Sequence, residues 1–136
     1  MASNVDVVRD AVEAWNAHDR ERYVSAYKPD VELHGFPEGV VDAATLGDFF
    51  AGFWEAIPDA RIDVGDAFAD GDQVAVRLTI SGTHEGELMG VPASHRPISF
   101  DAMTIIRVED GRLAERWNVA DFLSMLQQIG GVPAPA

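Results

Sequence analysis

Two acidic, glycine-bearing turns constrain the second half of the chain more than any other feature. Asp70-Gly71-Asp72 and Glu109-Asp110-Gly111 each separate runs rich in β-branched residues, and Asp-Gly between such runs is a strong local signal for a hairpin. The flanking runs cover residues 61–69, 73–85, 98–108 and 112–119, which predicts a four-stranded antiparallel meander. A twisted sheet of this kind curls, and its apolar face must be covered.

The first half of the chain supplies the cover. Ser3 or Asn4 can cap a first helix in which Val5, Val8, Val12 and Trp15 recur at spacings of three and four, giving one apolar side. Asp19 can cap a second, with Tyr23, Val24 and Tyr27 before Pro29 stops it. Residues 31–36 alternate with period two and predict a short edge strand. Asp42 or Thr45 opens a third helix whose broad face carries Leu46, Phe49, Phe50, Phe53, Trp54 and Ile57 until Pro58. Asp121 can cap a last helix through Ile129, and the residues after it read as an extended or mobile tail. The expected organisation is one domain over residues 1–130 with a tail over 131–136. The element order is α+β, and a sheet curled around helices leaves a concave apolar hollow suited to a small flat molecule.

Composition removes several function classes. Ten basic and twenty-three acidic residues leave a formal charge of −13, with no basic run, so nucleic acid and anionic membrane are poor partners. There is no cysteine, hence no disulfide framework, thiolate nucleophile or cysteine-ligated metal. The four histidines show no HxxxH or HxH spacing, so no metal site is expected. The beginning of the chain has neither the basic region nor the apolar run of a signal peptide, and no stretch is long enough to span a bilayer, which fits a cytoplasmic protein.

Trp15-Asn16, the Lys28-Pro29-Asp30 stop, GTHEGELMGVPASHRPISF and EDGRLAERWNVADFLSMLQQIGGVP together resemble the SnoaL-like polyketide cyclases, within the superfamily built on the nuclear transport factor two fold. The resemblance covers almost the whole chain. It implies a cone-shaped fold, a curved antiparallel sheet packed on N-terminal helices around an apolar pocket, and a homodimer or higher homo-oligomer. It also implies a hydrophobic small-molecule substrate and no cofactor, since the best-understood members close the last ring of an aromatic polyketide methyl ester with an acidic side chain as general acid/base. Relatives of the same fold isomerise ketosteroids, hydrolyse epoxides or only bind.

The chain departs from that pattern at the chemistry. The resemblance places the family's acid/base aspartate at Asn118, and its pocket glutamine and histidine at Ala102 and Thr104. An amide cannot take a proton at neutral pH, but it can donate a hydrogen bond to a developing enolate. Period-two alternation groups Ala114, Arg116 and Asn118 on one side of the last strand and Leu113, Glu115, Trp117 and Val119 on the other; the resemblance favours the Asn118 side as the pocket face. Asp121, three residues on, is either a helix cap or, turned inward and desolvated, a general base. His84 is a proton shuttle with a free pKa of about 6.5, or a ring tying its strand to a loop. His95 and His18 read as exposed, and His34 can face either side.

The aromatic stripe is ordinarily core, but in a cone its inner ends also form a wall for a planar ligand, so Phe50, Phe53 and Trp54 join the substrate-binding set. The resemblance adds Trp15, and Trp117 is included as the last strand's large apolar residue, with a place in core or interface as the alternative. The expected function is cofactor-independent proton transfer next to a carbonyl, with Asp121 or His84 moving the proton and Asn118 holding the oxygen. The alternatives are a non-catalytic binding module or structural dimer, and an epoxide hydrolase or isomerase, for which Arg61-Ile62-Asp63 has the R-x-D spacing.

Overall fold

A computed structural model of the chain describes residues 3–133. Helix α1 (Asn4–Asn16) starts from a reciprocal cap, in which Ser3 and Asp6 each bond the other's backbone N–H. Helix α2 (Arg20–Ser25) is capped by Asp19, and α3 (Ala43–Ala56) by an Asp42–Thr45 box. These caps satisfy N–H groups that have no partner within the helix.

Strand β1 is Tyr27–His34, longer than the alternation alone predicts. Helix α2 ends two residues before Tyr27, which the helical spacing had assigned to it, because Tyr27 instead pairs with Leu113 at the start of the strand. Pro29 therefore does not stop a helix. It lies inside β1, where the register shifts between Tyr27 and Glu32, and an edge strand tolerates a residue with no N–H to donate. The meander follows as β2 (Arg61–Asp70), β3 (Gln73–Thr83), β4 (Pro97–Glu109) and β5 (Arg112–Ala120). The sheet order is β1-β5-β4-β3-β2, antiparallel throughout except for the parallel β1–β5 pair. Helix α4 (Phe122–Gln128) closes the chain. The first residue of the expected tail is tied to α4, the Gly131 N–H donating to the Leu126 carbonyl; residues 134–136 lie outside the described residues.

The curved, unclosed sheet carries the core on its inner face. Val74, Val76, Leu78, Ile80, Phe100, Ala102 and Ile106 meet Trp15, Tyr23, Leu46 and Phe53 from the helices. Burying large side chains of this kind contributes roughly 1.5–3 kcal/mol each. The outer face is different: Phe68, Met103, Ile105 and Val119 are all exposed there. No helix among the described residues is long and apolar enough to cross a membrane.

Candidate active site

The hollow between sheet and helices has two lobes that share Trp15, Phe50, Ile62, Leu78 and Arg116. The free space left between these side chains is about 30 Å³ in one lobe and 40 Å³ in the other. Tyr23, Tyr27 and Thr104 line the first, and Phe36, Phe53, Ala102 and Asn118 the second. Neither lobe is lined by a carboxylate or a histidine among the described residues.

Arg116 is the chemical centre of this hollow. It comes from β5, where Trp117 between it and Asn118 points the other way, so that Arg116 and Asn118 project inward together. Arg116 is 7% exposed, and its guanidinium has no acidic partner among the described residues. Its Nε donates to Thr104 Oγ1 at 2.9 Å, Nη1 to the hydroxyls of Tyr27 and Tyr23 at 2.9 and 3.2 Å, and Nη2 to Asn118 Oδ1 at 3.2 Å. The Phe36 ring covers it, 5.2 Å away, a favourable cation–π position. Burial works against the charge, but Tyr27 and Tyr23 outweigh it and leave the pKa of Arg116 above its ordinary value. Burial, with Tyr27 beside it, holds the Tyr23 hydroxyl well above the usual phenol range, so Tyr23 stays protonated.

Gly35 fixes the position of Asn118. With φ at +84°, a Cβ there would stand 1.9 Å from the Asn118 carbonyl oxygen, so only glycine lets the end of β1 approach β5 this closely.

A family model for the SnoaL-like polyketide cyclases matches residues 5–129. The chain belongs to this family. Among SnoaL-like relatives, the aklanonic acid methyl ester cyclase DnrD of Streptomyces peucetius is 29% identical over 140 aligned positions, covering 96% of this chain and 92% of that one. The structure of AclR from Streptomyces galilaeus, a proposed hydroxylase, superposes with a TM-score of 0.87 at 28% identity, covering 98% of this chain and 84% of that one. IdmH of Streptomyces antibioticus, a proposed polyketide cyclase, gives 0.83 at 31% identity over 95% and 99% of the two chains.

Within this SnoaL-like frame, Trp15, Phe50, Phe53, Ala102, Thr104 and Asn118 all line the hollow. Four other expected site residues lie elsewhere. Trp54 is buried behind Trp15, edge to face at 5.7 Å, and stacks on His18 at 5.1 Å; it is core, and His18 is half-buried against it rather than exposed. Trp117 faces outward, because strand alternation that turns Asn118 in must turn its neighbour out; it stacks on His34 there. Asp121 is exposed and caps α4, accepting the Ser124 N–H at 3.0 Å. It points away from the hollow because the cap requires its carboxylate at the helix N-terminus.

His84 is fully buried but lines neither lobe. Its Nδ1 accepts the Ser94 N–H at 3.1 Å and sits 2.8 Å from Ser94 Oγ, which leaves the ring proton on Nε2. Backbone bonds from His84 to Arg96 and from His95 to His84 complete the tie, so the ring joins the end of β3 to a loop. Arg61 and Asp63 form an exposed surface pair at 3.0 Å, and Arg116, the arginine buried in the hollow, has no acid beside it there among the described residues. Glu32, His34 and Glu115 do converge within 4.8 Å at the outer edge. Glu115 is held there by His34 at 2.9 Å and by Arg107 at 3.3 Å, and those bonds, that of His34 foremost, keep its pKa below the usual range.

The polar residues of the hollow that the sequence does not single out are Arg116, Tyr23 and Tyr27. The signal was present for Arg116: placing Asn118 inside by period two places the residue two before it inside as well. No comparable signal marks the tyrosines, whose hydroxyls meet Arg116 from elements 89 and 93 positions away.

Proposed function

We propose that this chain is a ring-closing enzyme acting on a hydrophobic polyketide or cyclic carbonyl compound by promoting proton transfer next to a carbonyl. The observation that carries the reading is the buried Arg116–Asn118 pair in an apolar hollow of a SnoaL-like fold. A carbonyl oxygen against the second Nη2–H of Arg116 and the amide of Asn118 gains negative charge as the neighbouring C–H loses its proton. Donors fixed in a water-poor site stabilise such charge far more than water does. The C–H proton passes to solvent water at the open mouth of the hollow. The resulting carbanion attacks the carbon of a second carbonyl, forming the C–C bond as that carbonyl's π pair moves to its oxygen. The alkoxide so formed takes a proton back from solvent, so that the mass is unchanged. Tyr23, kept neutral, serves as a donor to this network. With no carboxylate or imidazole among the described residues that line the hollow, the site supports enolate stabilisation rather than abstraction by a carboxylate base. That same lack favours a second reading, binding without turnover.

Incubation with an aromatic polyketide methyl ester, followed by chromatography and mass, tests both. Aldol closure shifts retention at unchanged mass, and ligand recovered unaltered supports binding alone. Asp121→Ala is expected to turn over substrate within about two-fold of wild type while losing about 1 kcal/mol of stability with the α4 cap. A large loss of turnover in a folded Asp121→Ala protein would return that carboxylate to the mechanism.

The outer sheet face supports a homodimer. Phe68, Met103, Ile105 and Val119 form with Trp117 one apolar patch, of a kind that monomers rarely expose. Native mass at micromolar concentration should give a dimer, and Val119→Lys with Met103→Lys should give a monomer; a monomeric wild type would contradict this.

A further inference from the structure

Hydrogen-bond accounting in the hollow gives a one-sided result. Arg116 has five N–H donors, and four of them reach Thr104, Tyr23, Tyr27 and Asn118, so one Nη2–H has no acceptor among the described residues. Tyr23 and Tyr27 both accept from Nη1, and a single hydrogen occupies the 2.8 Å between their oxygens, which leaves one hydroxyl hydrogen unused. Arg116 can only donate, so Asn118 must present Oδ1 to it and its amide NH₂ elsewhere, and that NH₂ makes no bond among the described residues. Trp15 lines both lobes, and its indole N–H is buried with no partner among the described residues. Thr104 Oγ1 accepts from Arg116 while its own hydrogen goes to the Trp117 carbonyl.

The hollow therefore presents five unused donor hydrogens, on Arg116, a tyrosine, Asn118 and Trp15, with a full positive charge and no negative group among the described residues. An uncompensated guanidinium in an apolar site is costly, and buried donors without acceptors add to that cost. A neutral ester or ketone would satisfy the donors but not the charge. Resting on the reading of this hollow as the ligand site, we infer that it is built for a ligand that is already anionic when it binds: a planar, ring-bearing molecule with a carboxylate, phenolate or enolate oxygen directed at Arg116. Such an oxygen supplies both the missing acceptor sites and the missing charge, and the surrounding Trp15, Phe36, Phe50 and Phe53 take the rings.

Three probes of similar shape separate the possibilities: anthraquinone-2-carboxylate, anthraquinone-2-carboxamide and 2-hydroxyanthraquinone, titrated calorimetrically against wild type, Arg116→Met and Arg116→Lys. The carboxylate should bind wild type at least ten-fold more tightly than the carboxamide. Arg116→Met should abolish that preference, and Arg116→Lys, which keeps the charge, should retain part of it. A preference shown only by the hydroxyanthraquinone, growing as its phenol ionises, supports the same inference with an enolate-type oxygen as the source. Equal affinity for charged and neutral probes, or a preference that survives in folded Arg116→Met, overturns the inference and leaves the ring-closing reading to its own turnover assay. Failure of all three probes to bind overturns the anionic ligand and, with it, the hollow as an aromatic site.

Discussion

Arg116→Met should lower kcat/KM for ring closure by about 10²–10³-fold, the usual consequence of removing a fixed donor from the oxyanion of a transition state. Stability should move little, within about 1–2 kcal/mol and in either direction. The reason for the split is that a buried charge without a counter-charge contributes poorly to folding, and apolar residues of similar volume often replace buried ions at no loss. Methionine fills much of the arginine stem's volume, and Tyr23 and Tyr27 keep their mutual bond of 2.8 Å, while Thr104, Asn118 and the two tyrosine hydroxyls each lose a donor. Denaturant unfolding and steady-state turnover on one preparation measure both sides. Parallel collapse of the two would make Arg116 a structural residue; full activity in a folded variant would remove it from the reaction.

The fold was largely legible because its signals are local. The Asp-Gly turns, the caps at Ser3, Asp19, Asp42 and Asp121, and the period-two runs of the meander need no tertiary information, and they recur in the structure. Tyr27 went wrong for the opposite reason. Its spacing from Tyr23 suits a helix, but pairing with Leu113, 86 positions on, decides the matter. The site was half legible. Of the residues that line the hollow by bulk, Phe50 and Phe53 follow from the apolar stripe of α3 and Trp15 from the family resemblance, whereas Trp54, on the stripe of Phe50 and Phe53, falls behind Trp15. Chemistry-bearing side chains are harder, because a carboxylate such as Asp121 reads equally as cap or base until its direction is known. Alternation along β5 carries one further consequence, that Asn118 cannot enter the hollow without Arg116, and this turns a site searched for a missing acid into one organised around an unpaired cation.

That coupling also decides what the family's aspartate would do here. Asn118→Asp should not install a base; it should reduce ring closure and cut the affinity of a carboxylate probe by about 100-fold or more. The substitution sets a carboxylate about 3 Å from Arg116 Nη2, where Asn118 Oδ1 now lies. A carboxylate so close to a guanidinium stays ionised below its ordinary range and is correspondingly unwilling to take a proton. It would supply the counter-charge that Arg116 lacks and place a like charge against an incoming anion, a repulsion worth several kcal/mol when desolvated. The variant should therefore be at least as stable as wild type while losing function, a combination opposite to that of a damaged core. Affinity for the anthraquinone carboxylate, unfolding free energy and ring closure, measured together, test the argument. Turnover gained by Asn118→Asp would mean that the hollow needs an acid/base carboxylate after all, and that the pairing with Arg116 does not restrain it.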